Sequence, residues 1–173
     1  MYTSATNSSL EVAYWFINRA KSDNLYLETD KLQHLLFIAQ QRYAQQNDCV
    51  MLMPSLFSCD DNGFFEPTLR SFFSQGRPYM PVFRLNKSVS VFLEQIWNEF
   101  CSLSVADCRK VVTSTSLYES FYQKGGISVV PFNAMSKKEI YAPQTSVSFH
   151  KKILLSQNGP VVVSQWTPRK VNI

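Results

Sequence analysis

Residues 27–46, LETDKLQHLLFIAQQRYAQQ, constrain the fold more than any other stretch of the chain. Leu32, Leu35, Leu36, Ala39 and Tyr43 recur at steps of three and four. A helix turns once per 3.6 residues, so this spacing gathers them on one face. Thr29 or Asp30 stands where a side chain caps a helix, accepting a bond from a backbone N–H with no partner inside it. Gln33, Gln40, Gln41 and Gln45 occupy mostly other positions. His34, between Gln33 and Leu35, is expected at the edge of the stripe as a solvated or hydrogen-bonded structural side chain. A catalytic role would need a partner group, and the other histidine, His150, is remote in sequence.

Other stretches supply helices for this one to pack against. In SLEVAYWFINRAK, Val12, Trp15, Phe16 and Ala20 fall near helical spacing, with Ser9 as the expected N-cap. The polar residues before it are expected to fray. NDCVMLMPSLFSCDDNGFF reads as one or two short extended pieces, with a turn at Asp60-Asp61-Asn62-Gly63. Glu66-Pro67 opens a helix carrying Leu69, Phe72 and Phe73, because proline at the first helical position loses no needed N–H. Gly76 ends it, and RPYMPVF is extended by its two prolines. Val89, Phe92, Leu93, Ile96, Trp97 and Phe100 form the stripe of a strong amphipathic helix. Ser104 and Asp107 resemble a capping box at the head of a short helix, and SLYESFYQKGG is another, stopped at Gly125-Gly126.

Beyond Gly126 the chain turns to β-branched residues and proline: ISVVPF, EIYAPQTSVSF, KKILLSQNGPVVVSQW. Asn158-Gly159 is a hairpin signal, weakened by Pro160, which has no N–H for the closing bond. The expected fold is mainly α: a single helical domain of about five to six helices over residues 1–126, with a small β-rich C-terminal extension, 127–173, packed on it. A chain of 173 residues can bury such a core without metal or disulfide staples.

Composition narrows the function. Only 17% of residues are charged, below the ~25% usual in soluble domains. That suits either a partner-binding surface or one rich in Ser, Asn and Gln. The net charge of +4 is mild and its basic residues are scattered, so a nucleic-acid face is the weaker alternative. The four cysteines show no C-x-x-C spacing, and no metal or cofactor site is expected. Cys108, near a helix start and beside Arg109, is the best candidate for a thiol nucleophile, though core packing suits it better. No G-x-G-x-x-G or G-x-x-x-x-G-K phosphate loop occurs. No apolar run is long enough for a membrane span, and the start lacks the pattern of a signal peptide, so a cytoplasmic location is expected.

Taken in order, VAYWFINRA, LETDKLQHLLFIAQQRYAQQ, GFFEPTLRSFFSQGRPY and FLEQIWNEFCSLSVADCRKVVTSTSLYESFY resemble the Panacea domain, roughly over residues 9–124. The family's L-x-K-L-like helix corresponds to Leu32-Gln33-His34-Leu35, with His34 where lysine is usual. Its G-P-V-x-P-like turn corresponds to Gly63-Phe64-Phe65-Glu66-Pro67, with Phe64 and Phe65 replacing Pro and Val. Gly76 and Pro78 match the glycine and proline that follow, and Tyr118 stands near an expected tryptophan. The resemblance implies a bacterial or phage-associated, non-enzymatic antitoxin that neutralises a cognate toxin by direct binding. In some members it also implies delivery of that toxin to a protease. A repurposed accessory or regulatory protein is the alternative. Partner contact is expected at Phe64, Phe65, Glu66, Arg70, Arg77 and Tyr79, and self-association into a homo-oligomer stays open.

Overall fold

The computed structural model describes residues 3–79, 83–137, 153–156 and 159–162. Six helices and one additional helical turn build the first of its two units, Met1–Glu139. Most begin where local chemistry dictates. Helix α1 (Ser9–Ser22) is capped by Ser8, one residue ahead of the expected Ser9. Helix α3 (Pro67–Phe73) has Pro67 in its first turn, and the Glu66 carboxylate accepts from Leu69 N–H. Helix α4 (Lys87–Phe100) is capped by Asn86. In α5 (Val105–Thr113), Ser104 Oγ accepts from Asp107 N–H at 3.1 Å and donates to the Asp107 carboxylate at 2.7 Å. Thr115 caps α6 (Ser116–Phe121), and α7 (Phe132–Met135) is the additional turn.

Helix α2 (Thr29–Gln46) is the exception to local control. Its N-cap is Glu28, which makes no side-chain capping bond, so neither Thr29 nor Asp30 serves as expected. Every residue from Lys31 to Gln41 is buried. α1, α3, α4, α5 and a strand all touch the helix. The stripe of leucines therefore describes only part of a helix enclosed on every side along that run. The enclosed polar side chains serve the backbone of neighbouring segments. Gln40 accepts from Met53 N–H at 3.0 Å and donates to Met53 C=O at 3.2 Å. Gln33 accepts from Glu66 N–H at 2.8 Å. Lys31 Nζ donates to the carbonyls of Cys101 and Leu103, at 2.7 and 2.6 Å, where α4 ends. Carbonyls at a helix C-terminus lack partners inside the helix, and a cation there also suits the helix dipole.

A three-stranded antiparallel sheet, ordered β2-β1-β3, lies against α2. β1 (Phe57–Asp60) and β2 (Gly63–Phe65) form a hairpin around the expected turn, pairing Asp60 with Gly63. Asp60 Oδ1 accepts from Asn62 N–H at 2.8 Å inside the turn. Phe57, Cys59 and Phe64 are buried, and Phe37 of α2 stacks on Phe64 with ring centroids 3.8 Å apart.

Two expectations change. Residues 3–6 do not fray: Ala5 and Thr6 donate backbone bonds to Met51 and Leu52, and the buried Thr6 hydroxyl donates to the Leu52 carbonyl at 2.8 Å. The helical domain also does not stop at Gly126. β3 (Ser128–Val130) pairs with β1, and Phe132 and Met135 are buried. Strand pairing between distant segments, which no local pattern announces, moves the division to Glu139. In the second unit, Ile140–Ile173, β4 (Ile153–Ser156) and β5 (Gly159–Val162) pair as an antiparallel hairpin, Ser156 opposite Gly159. The segment EIYAPQTSVSF, together with Asn158 and Val163, lies outside the described residues.

The Gln40 bonds make a direct test of this enclosure. Gln40→Leu roughly keeps the volume but leaves the Met53 N–H unpaired in the interior, while the Met53 carbonyl keeps its bond from Ser55 N–H at 2.9 Å. A loss of about 1–3 kcal/mol is expected in urea unfolding, the cost of one orphaned group. An unchanged midpoint would mean that Met53 finds other partners.

Candidate functional site

The six residues expected to contact a partner divide between interior and surface. Phe64, Phe65 and Glu66 are buried, which corrects their reading as a docking patch. Successive residues of a strand point to opposite faces. Phe64 enters the core, so Phe65 faces the other way. Arg70 of α3 lies over the Phe65 ring, 4.2 Å from its centroid, and pairs with Asp60 at 2.6 Å. Glu66 is committed to its capping bond. Arg70 itself is half-buried and acts as the lid of this small cluster.

Arg77 and Tyr79 are placed differently. Arg77 stacks over the ring of Tyr26, 4.9 Å from its centroid, and donates to the Leu27 carbonyl. Tyr14 donates its hydroxyl to the Pro78 carbonyl at 2.6 Å, holding the segment against α1. Tyr79 is 95% exposed, Tyr26 79% and Leu25 47%. Segment 77–79 and the α1–α2 connection thus bring Arg77 and Tyr26 together, with Leu25 and Tyr79 beside them in sequence. Tyr26 and Leu25 are absent from the expected set. The signal that marks them is a run of three large apolar residues, Leu25-Tyr26-Leu27, in an otherwise polar connector, SDNLYLETD, of which only Leu27 is buried.

The second polar locus is His34, which is 2% exposed and not at a solvated edge. The sheet and α5 close over it. Gly63 has φ of +113°, and a Cβ there would lie 3.1 Å from His34 Cε1 and 3.2 Å from a Val112 methyl. Only glycine meets both demands, positive φ and close approach. Neither imidazole nitrogen has a partner in hydrogen-bond geometry, and Gln33 Nε2 is likewise unpaired. A cleft of about 20 Å³ borders them, with Asp30, Asp60 and Asn62 on its walls. That is the scale of a single water. Burial, reinforced by Arg109, pushes the His34 pKa down to about 4 against the weaker pull of Asp30, Asp60 and the Phe64 backbone. The ring is neutral at physiological pH. The neighbouring carboxylate of Asp60 is already engaged by Arg70.

Cys108 is fully buried in the apolar core, and burial pushes its thiol pKa up despite nearby Lys31. Thiol nucleophiles need the opposite shift and an open approach. Among the described residues, no group of three or more His, Cys, Asp or Glu side chains could hold a metal ion. Nor, among them, is any helix long and apolar enough to cross a membrane. Comparisons with protein-family models, curated proteins and solved structures find no match.

The His34 environment sets a pH dependence with a definite sign. Unfolded, the imidazole takes a proton near its ordinary value of 6.5; folded, it resists until about pH 4. Unfolding therefore takes up a proton in that window, and stability falls as pH drops through it. The loss amounts to about 3 kcal/mol and levels off below the folded value. Urea unfolding followed from about pH 7.5 down to about pH 4 should show a steeper decline in the natural chain than in His34→Gln. Parallel curves would refute the buried neutral ring.

Proposed function

We propose that this chain is a non-enzymatic protein-binding module of the antitoxin type, which neutralises a cognate toxin by direct binding. The observation that carries the reading is the Arg77–Tyr26 stack, with Tyr79 and Leu25 exposed beside its members in sequence. Tyrosine and arginine are among the residue types that dominate binding energy at protein interfaces. Here they are held in advance by the Leu27 and Pro78 carbonyl bonds, which reduces the ordering cost of association. The Panacea-like order of motifs supplies the antitoxin class. On this reading the protein works in the cytoplasm, and its partner is a toxin whose own chemistry does the damage.

Co-expression with the product of the adjacent gene tests the proposal. The neighbour should be toxic alone, be relieved by this chain, and co-purify with it. Tyr79→Ala and Arg77→Ala should each weaken the complex by about 2 kcal/mol or more, the scale of interface hot spots, and Tyr79→Ala should leave thermal unfolding unchanged. A neighbour that is harmless alone and does not co-purify sinks the antitoxin reading.

A further inference from the structure

A groove of about 450 Å³ runs between α1 and α4. The helices lie side by side in the same direction, because Tyr14 meets Phe83, Arg19 meets Glu94, and Asp23 meets Trp97 in that order. One wall is Trp15, Asn18, Arg19 and Ser22. The other is Lys87, Ser90, Val91 and Glu94. Each set follows the spacing i, i+3, i+4, i+7, so each wall is one ridge of a helix. Two parallel ridges with a furrow between them are the surface on which a third helix packs.

The chemistry of the walls is specific. Trp15, Phe83 and Val91 provide an apolar strip, and Val91 is 52% exposed although it belongs to a well-packed amphipathic helix. Glu94 and Arg19 neutralise each other across the groove at 2.9 Å. Lys87 has no hydrogen-bond or ion-pair partner among the described residues. It stands in the first turn of α4, which carries no acidic residue. A cation there faces the positive end of the helix dipole, an unfavourable position that an incoming carboxylate would relieve.

We propose that the α1–α4 groove docks an amphipathic α-helix of a partner protein, its apolar side chains on Trp15, Phe83 and Val91 and an acidic side chain on Lys87. This deepens the protein-binding reading and rests on it, but not on the partner's being a toxin. Helix-in-groove recognition uses apolar anchors at such spacing, and the charge sets the helix's orientation.

The test is selection of binders to the full chain from a displayed library of single helices randomised along one face. Enriched helices should combine apolar anchors at helical spacing with Asp or Glu. Val91→Arg should weaken them at least about tenfold. Lys87→Glu, at an exposed position where an acid suits the helix start, should weaken them similarly and shift a repeated selection toward Lys or Arg. Tyr79→Ala should leave them bound, which separates this groove from the tyrosine–arginine patch. Selection that enriches nothing, or helices indifferent to both groove substitutions, would overturn the proposal. So would concentration-dependent self-association abolished by Val91→Arg, because the occupant would then be a second copy of this chain. Helix binding without toxin co-purification would keep the groove and discard the antitoxin reading, and the reverse result would do the opposite.

Discussion

The enclosure of α2 is the constraint on which the rest of the first unit depends. A helix buried on all sides usually carries apolar residues all round. This one carries Lys31, Gln33, His34, Gln40 and Gln41 in the same buried run as its leucines. Burying such groups is unfavourable unless they find partners. Gln40 takes both polar groups of Met53, Gln33 takes the Glu66 N–H, and Lys31 takes two carbonyls at the end of α4. Each bond reaches backbone outside the regular run of a helix or strand. The central helix therefore satisfies polar groups of connecting segments that would otherwise meet an apolar interior, and it fixes where those segments run.

His34 departs from that pattern, and the departure has a physical cause. Gly63 brings β2 close to the imidazole edge, leaving a cleft in which no donor or acceptor reaches hydrogen-bond geometry with either ring nitrogen. An unpaired neutral imidazole is less costly than an unpaired charged one, and burial keeps it neutral. A lysine at this position would need a counter-charge, and with Asp60 engaged by Arg70 the carboxylate on the cleft wall that could supply it is Asp30. The histidine thus fits its surroundings as a compact polar filler. Its pKa follows from the packing and does not by itself assign it a task.

Local chemistry in the sequence accounts for most helix starts, that of α2 excepted. Pro67 at the head of α3, the Ser104–Asp107 box of α5 and the turn before Gly63 all act within a few residues, so each is legible. The apolar stripe of α4 is legible for the same reason: its polar side stays wet, with Gln95, Asn98 and Glu99 exposed and Glu94 half-buried. What stays hidden depends on contacts distant in sequence. Residues 3–6 are held by Met51 and Leu52, and β3 joins the sheet through β1. The glutamines of α2 look like a solvated face because nothing local marks the segments they meet. The candidate site carries the same ambiguity. Phe64 and Phe65 admit a docking patch from sequence, although an aromatic series of this kind more often belongs to a core; strand alternation sends one into the core and Arg70 covers the other.

The same architecture divides scaffold from surface. Between Lys31 and Gln41, α2 has no free face to offer a partner, and the sheet beside it buries Phe57, Cys59 and Phe64. Any recognition by this unit falls to elements with one side uncovered, among them α1, α4, and the segments around Tyr26 and Arg77. The two helices are tied to the interior by Tyr14, Phe16 and Trp97, whose rings are buried while other residues of the same helices face outward. Trp97 also donates its indole N–H to Asp23 at 2.8 Å, and Asp23 in turn pairs with Arg19, which reaches Glu94. One continuous polar chain thus links α1 and α4 along the groove. Exposed ion pairs of this kind add little stability. Their consequence is positional: they set the spacing of two ridges, and that spacing decides what can lie between them.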